Sequence, residues 1–217
     1  MDDQPIDEPD VAAEVAADVA EVLAAHAALV HHLRSLDGVD PSSPSRLPDW
    51  TVGHVLTHIS RNADGIVSVL DGLPQYPHGL AGRNDDIEAG ASRPWVDLVD
   101  DVEATCACVD ERLARHTDWR GTATTLGGER PMAMVPFLRL REVVVHHVDL
   151  GVGYEFTDVP ALYLRKDLRI MEMLWRARKP MGLTPLTDAA LALAPATRLA
   201  WFMGRVEVEG LEPAGVF

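Results

Sequence analysis

The chain has 217 residues, enough for one domain with a modest appendage and for a core that needs no disulfide staples. Its formal net charge of -15 would be repelled by a phosphate backbone, which excludes a nucleic-acid partner. The opening MDDQPIDEPD lacks the apolar run of a signal peptide and no stretch of about 18 apolar residues follows, so a cytoplasmic protein with no membrane partner is expected.

Residues 1–9 read as a disordered acidic tail. From Asp10 to Leu36 an Ala- and Leu-rich segment has helical spacing and stops at Asp37-Gly38. A Pro/Ser-rich loop over 41–48 leads to a second helix from about Val52 to Leu70, with Thr51 as its N-cap. A short helix near Asp85 follows, then a third long helix from about Pro94 to His116. That helix carries Cys106 and Cys108, two positions apart and so on opposite sides, with no disulfide framework to build. A hairpin or irregular loop is expected around Gly127-Gly128, and a fourth long helix from Pro136 to about Leu150. Beyond it, a helix starting at Thr157 to Pro160 runs to about Arg178, another spans Ala196 to Gly204, and the alternating VEVEG suggests a short strand. The expected fold is all-α: a four-helix bundle over residues 10–155 and a short, mostly helical C-terminal region over 156–217.

The second helix places its apolar residues in one arc of about 120°. His58 falls about 60° to one side of Val55, at the edge of that arc, and Asn62 about 20° to the same side. His54 lies further round toward solvent, which makes it the weaker ligand candidate of the two. On the fourth helix Glu142, His146, Asp149 and Arg139 share a narrow polar stripe on an otherwise apolar helix. Burying such groups is costly unless they pair or bind a metal. Glu142 and His146 stand four apart and can converge on one ion. With His58 they make a one-carboxylate, two-imidazole set that holds one divalent metal, zinc first among them, and leaves a fourth position open. Asp149 is placed behind the ligands to orient an imidazole, with Asn62 assigned to the same supporting layer. His147 points elsewhere on the helix and is expected to be structural or partly exposed.

The strings LPDWTVGHVLTHISRNADGIVSVL (47–70) and LRLREVVVHHVDLGVGY (138–154) are similar to the metal-bearing helices of the mycothiol-dependent maleylpyruvate isomerases, members of the DinB-like four-helix bundles. The resemblance spans about residues 10–155. It implies zinc on His58, Glu142 and His146, and mycothiol as a thiol cofactor bound as thiolate at the open position. It also implies a catalytic arginine in a C-terminal Gly-Arg, for which Gly204-Arg205 is the match. In such an isomerase the thiolate adds to the cis double bond of maleylpyruvate, the new single bond rotates, and elimination returns fumarylpyruvate, with Arg205 holding a substrate carboxylate. Full members of the family carry a larger α/β C-terminal domain, so the 62 residues from 156 onward imply a reduced one. Two alternatives remain open: a zinc-dependent mycothiol S-transferase of the same bundle type, and a non-catalytic bundle whose metal is structural or absent.

Overall fold

Valine, alanine and leucine at helical spacing build α1 (Glu8–Ser35), which buries Val15, Val22, Ala25, Leu29 and Leu33 along one stripe. The computed structural model describes residues 8–178 and 184–216. The tail expected over 1–9 therefore lies outside the described residues, except for Glu8 and Pro9, which open α1. The chain divides into two compact units, Met1–Gly151 and Val152–Phe217.

In the first unit α2 (Val52–Leu70) starts where expected. The Thr51 hydroxyl accepts from the His54 amide, and His54 Nδ1 accepts in return from the Thr51 amide at 3.2 Å. Histidine thus takes the place usually held by Glu or Gln in a capping box. The short helix near Asp85 is α3 (Gly79–Gly90), followed by α4 (Trp95–Arg115) directly after Pro94. The hairpin forms as β1 (Thr122–Thr125) antiparallel to β2 (Gly128–Pro131), and a 3-10 turn at Met132–Met134 feeds α5 (Val135–Asp149).

Helix α1 packs on α4 and α5, and α2 packs on the same two, so the four long helices close into a ring. Helix α3 covers α2 from outside the ring. A Cβ on Gly53 would fall 2.0 Å from the Ala91 carbonyl oxygen, so this glycine lets the start of α2 meet the end of α3. As expected from the spacing, Cys106 is buried and Cys108 exposed.

The bundle core holds one arginine. Arg139, on α5, is 0% exposed and donates to His26 Nε2 on α1, to the Ile59 carbonyl and Asn62 Oδ1 on α2, and to Cys106 Sγ on α4. All four long helices meet on this one side chain. His26 accepts from Arg139 on one nitrogen and faces Asp110 Oδ1 at 2.7 Å with the other, which suits a neutral ring protonated at Nδ1. Burial lowers the His26 pKa from 6.5 to about 4 against the pull of Asp110, and the Arg139 charge adds to the depression. Between these values the unfolded chain binds a proton that the folded one refuses, so this contribution to stability is full above 6.5 and is lost as pH falls toward about 4. Thermal denaturation over that window should show the loss. His26→Gln, which keeps an acceptor for Arg139 and does not titrate, should make the decline shallower; an unchanged decline would rule out His26 as a source.

In the second unit α6 (Ala161–Ala177) begins later than expected. Pro160 drives Val159 out of the helical region, and residues 155–158 form a turn instead, in which the Glu155 amide donates to Asp158 Oδ2 at 2.9 Å. A five-residue helix α7 (Asp188–Ala192) and α8 (Pro195–Phe202) follow. Trp175 of α6 packs against Trp201 and Phe202 of α8, with ring centroids 5.1 and 6.1 Å away. The strand suggested by VEVEG does not form: Val208 enters a turn in which its carbonyl accepts from the Leu211 amide at 3.0 Å. Among the described residues this unit offers no second strand to satisfy its backbone. No helix among the described residues is long and apolar enough to cross a membrane.

Candidate metal centre

Helix α2 carries His58 inward because Val55, Leu56, Ile59 and Ala63 around it are all 0% exposed and fix the rotation of the helix. Helix α5 is held in the same way by Phe137, Leu140, Val144 and Val148, which turns Glu142 and His146 toward α2. The three side chains meet. His58 Nε2 lies 3.0 Å from Glu142 Oε2 and 3.0 Å from His146 Nε2, and the third edge, His146 Nε2 to Glu142 Oε2, is 3.4 Å. Among the described residues these three form a group that could hold a metal ion.

The donor set fits one. Bonds of about 2.0–2.1 Å to a tetrahedral zinc place neighbouring ligand atoms about 3.3 Å apart, close to the edges of this triangle. His58 and His146 are 6% and 14% exposed while Glu142 is 31% exposed, so the triangle is closed on the imidazole side and reachable past the carboxylate.

Burial lowers the His58 pKa to about 4, and the charges of His146 and Arg83 work in the same direction. Burial would also lower His146, but Asp149 and Glu142 together raise it to about 9. Against burial, the two imidazoles hold the Glu142 carboxyl well below its ordinary range. The centre thus pairs a carboxylate with two imidazoles, and a divalent cation would take the Nε2 position that the raised pKa of His146 otherwise gives to a proton.

Asp149, 0% exposed, sits behind the triangle with Oδ2 at 2.9 Å from His146 Nδ1. A carboxylate there fixes which nitrogen of His146 carries the proton and leaves Nε2 facing the centre. Asn62 belongs to the Arg139 cluster, accepting from its Nη1 at 2.8 Å. His54 is engaged at the helix start, with Nδ1 2.8 Å from the Thr51 hydroxyl. His147 is 3% exposed and pairs with His32 of α1 at 2.7 Å, so it is a core residue. Arg205 lies in the second unit, where its Nη1 donates to the Met203 carbonyl at 2.7 Å.

Sequence reasoning missed three residues around the triangle. The Trp50 ring stands edge-on to His58 with centroids 5.4 Å apart. Arg83 of α3 donates from Nη2 to His58 Nδ1 at 2.7 Å. Tyr76 is hydrogen-bonded to Arg83 and Asn62 and lies in the field of Glu142; burial foremost raises its pKa. Tyr76 and Arg83 come from the segment between α2 and α4, which has no apolar periodicity to assign a face. Trp50 sits just before the Thr51 cap and could have been found from that position.

Residues 22–151, more than half of the chain, match the family described as the mycothiol maleylpyruvate isomerase N-terminal domain. The chain belongs to that family. Membership of the mycothiol maleylpyruvate isomerase family makes it an enzyme, and the matched residues contain the whole triangle. Solved structures of a mycothiol-dependent maleylpyruvate isomerase and of its histidine-to-alanine mutant are similar in fold, each with a TM-score of 0.77 at 20% sequence identity. Each match covers 88% of this chain and 90% of the solved chain, so it leaves little of the solved chain without a counterpart here. No curated protein matches the sequence.

Proposed function

We propose that the protein is a zinc- and mycothiol-dependent cis-trans isomerase acting on maleylpyruvate or a closely related small electrophile. The observation that carries this is the triangle of His58, Glu142 and His146, whose edges of 3.0, 3.0 and 3.4 Å match a three-ligand zinc site. Family membership supports the thiol and the reaction class. His58, Glu142 and His146 would hold the metal, which supplies the charge that keeps a bound thiol ionised at neutral pH.

The chain's own residues do the rest. Asp149 holds the His146 ring in the tautomer that presents Nε2 to the centre. Trp50, against His58, keeps water from that flank. The 31% exposure of Glu142 leaves the approach by which small molecules enter. The chain has no thiol of its own to offer there, because Cys106 is buried against Arg139 and Cys108 is exposed on the same helix, α4. Arg205 is proposed as a clamp for a substrate carboxylate.

Zinc-loaded protein should convert maleylpyruvate to fumarylpyruvate with mycothiol and not without it. Turnover without thiol would contradict the proposal. Conjugation of a generic electrophile to mycothiol, with no isomerisation, would make the protein an S-transferase instead.

A further inference from the structure

Arg83 is a permanent cation held against a weak partner. Its Nη2 donates to the uncharged Nδ1 of His58 at 2.7 Å, its Nη1 donates to Asn84 Oδ1 at 2.9 Å, and the guanidinium also hydrogen-bonds the Tyr76 hydroxyl, so all three partners are uncharged. Its Nε is buried with no hydrogen-bond partner, and among the described residues it forms no ion pair with a carboxylate. The neighbouring Arg61 is by contrast paired with Asp64 at 2.9 Å and Asp101 at 3.2 Å. In a chain with 34 acidic residues against 19 Lys and Arg, a half-buried arginine without an acid is unusual.

The hydrogen bond to His58 is also incompatible with a metal-bound ring. A neutral imidazole that gives its Nε2 lone pair to a metal carries its proton on Nδ1, and so has no lone pair left for an arginine. With the metal in place, Arg83 must therefore release His58. That frees Nη2, which lies on the same edge of the guanidinium as the unpartnered Nε. The freed edge is a pair of parallel N–H donors, the fork that grips a carboxylate at two points. The guanidinium is 5.8 Å from the centre of the Trp50 ring, and the side chain lines a cleft of about 100 Å³ together with Tyr76, Gln75 and His78. Arg83 is the side chain of this lining that reaches His58 of the triangle.

We propose that Arg83 is a substrate-binding residue, whose Nε and Nη2 hold a carboxylate of the small-molecule substrate beside the metal centre. The assignment rests on the zinc and thiol reading of the centre and adds to it a residue that recognises a carboxylate lying within a few bonds of the reacting carbons. Maleylpyruvate, with a carboxylate at each end, leaves the second for another cation. Asp86, exposed and one helical turn along α3, is the internal carboxylate that competes for the fork in the absence of substrate.

The test is calorimetric binding of maleate, a stable dicarboxylate, to the zinc-loaded full chain. The wild type should bind maleate, and Arg83→Gln should weaken it about tenfold or more, the effect of losing hydrogen bonds to a charged group. Arg83→Lys should fall between the two, because an ammonium keeps the charge and loses the fork. Zinc content, measured on the same samples, should be equal in all three. Equal maleate affinity in the wild type and Arg83→Gln overturns the proposal, as does the absence of maleate binding to the wild type. Loss of zinc from Arg83→Gln overturns it too, since Arg83 would then serve to support His58. Failure of the isomerase assignment would instead appear as absent or thiol-independent turnover by the wild type, which these binding measurements do not involve.

Discussion

His58→Ala and His146→Ala should each remove the zinc that the wild type carries at about one ion per chain. Each substitution takes one of three donors from a triangle whose edges are 3.0–3.4 Å, and the described residues offer no fourth His, Cys, Asp or Glu in that group. Loss of a residue that merely orients a ligand costs about 10–100-fold in metal affinity, so loss of a ligand should exceed about 100-fold. Asp149→Asn, which spoils only the contact behind His146, should fall in the smaller range. His54→Ala should retain the ion, because that ring is occupied with Thr51 at the start of α2. Metal analysis after dialysis gives the order directly. Full occupancy in His58→Ala would show that the metal is held elsewhere.

Arg139→Met should destabilise the bundle strongly. Replacing a buried charge with a side chain of similar volume is neutral in some proteins, because the desolvation cost of the charge disappears with it. Here the partners remain. His26 Nε2 and Asn62 Oδ1 would each lose the Arg139 donor in the core, and the Ile59 carbonyl would keep only its helical bond. At about 1–3 kcal/mol for each buried group left unsatisfied, the loss outweighs the gain, and about 3 kcal/mol of destabilisation is expected. For a chain of this size that corresponds to a fall in Tm of roughly 6–12 °C. The centre should weaken as well: Ile59 follows His58 on α2, and Arg139 stands one turn before Glu142 on α5, so the arginine ties the two ligand-bearing helices together behind the triangle. A Tm within about 2 °C of the wild type, measured with and without zinc, would contradict this role.

Local periodicity made the ligand-bearing helices legible. On α2 the apolar residues define one buried direction that places His58, on α5 a polar stripe through an otherwise apolar helix places Glu142, His146 and Asp149, and the structure brings those side chains together. The same reasoning put Arg139 in the polar stripe but could not supply its partners, which come from α1, α2 and α4 through contacts between residues 33 to 113 positions apart. Asn62 was placed on the right helix, and its partners are Arg139, to which its Oδ1 is bonded, and Tyr76, which sequence could not supply. Residues 71–94 carry no periodic pattern, so Tyr76 and Arg83 could not be oriented from sequence. In the second unit the alternation of VEVEG resembled a strand, but a strand needs a neighbour that no sequence pattern there provides.

The most direct test of a three-ligand centre open to a thiol is the absorption spectrum of the cobalt(II)-substituted protein during titration with mycothiol. Cobalt occupies zinc sites and reports its ligands in the visible and near-ultraviolet. On the present account, mycothiol adds a sulfur-to-cobalt charge-transfer band that saturates at one thiol per metal, while an analogue with the sulfur methylated adds none. A cobalt spectrum unchanged by saturating mycothiol would contradict the account, because the centre would then be either closed to the thiol or unrelated to it.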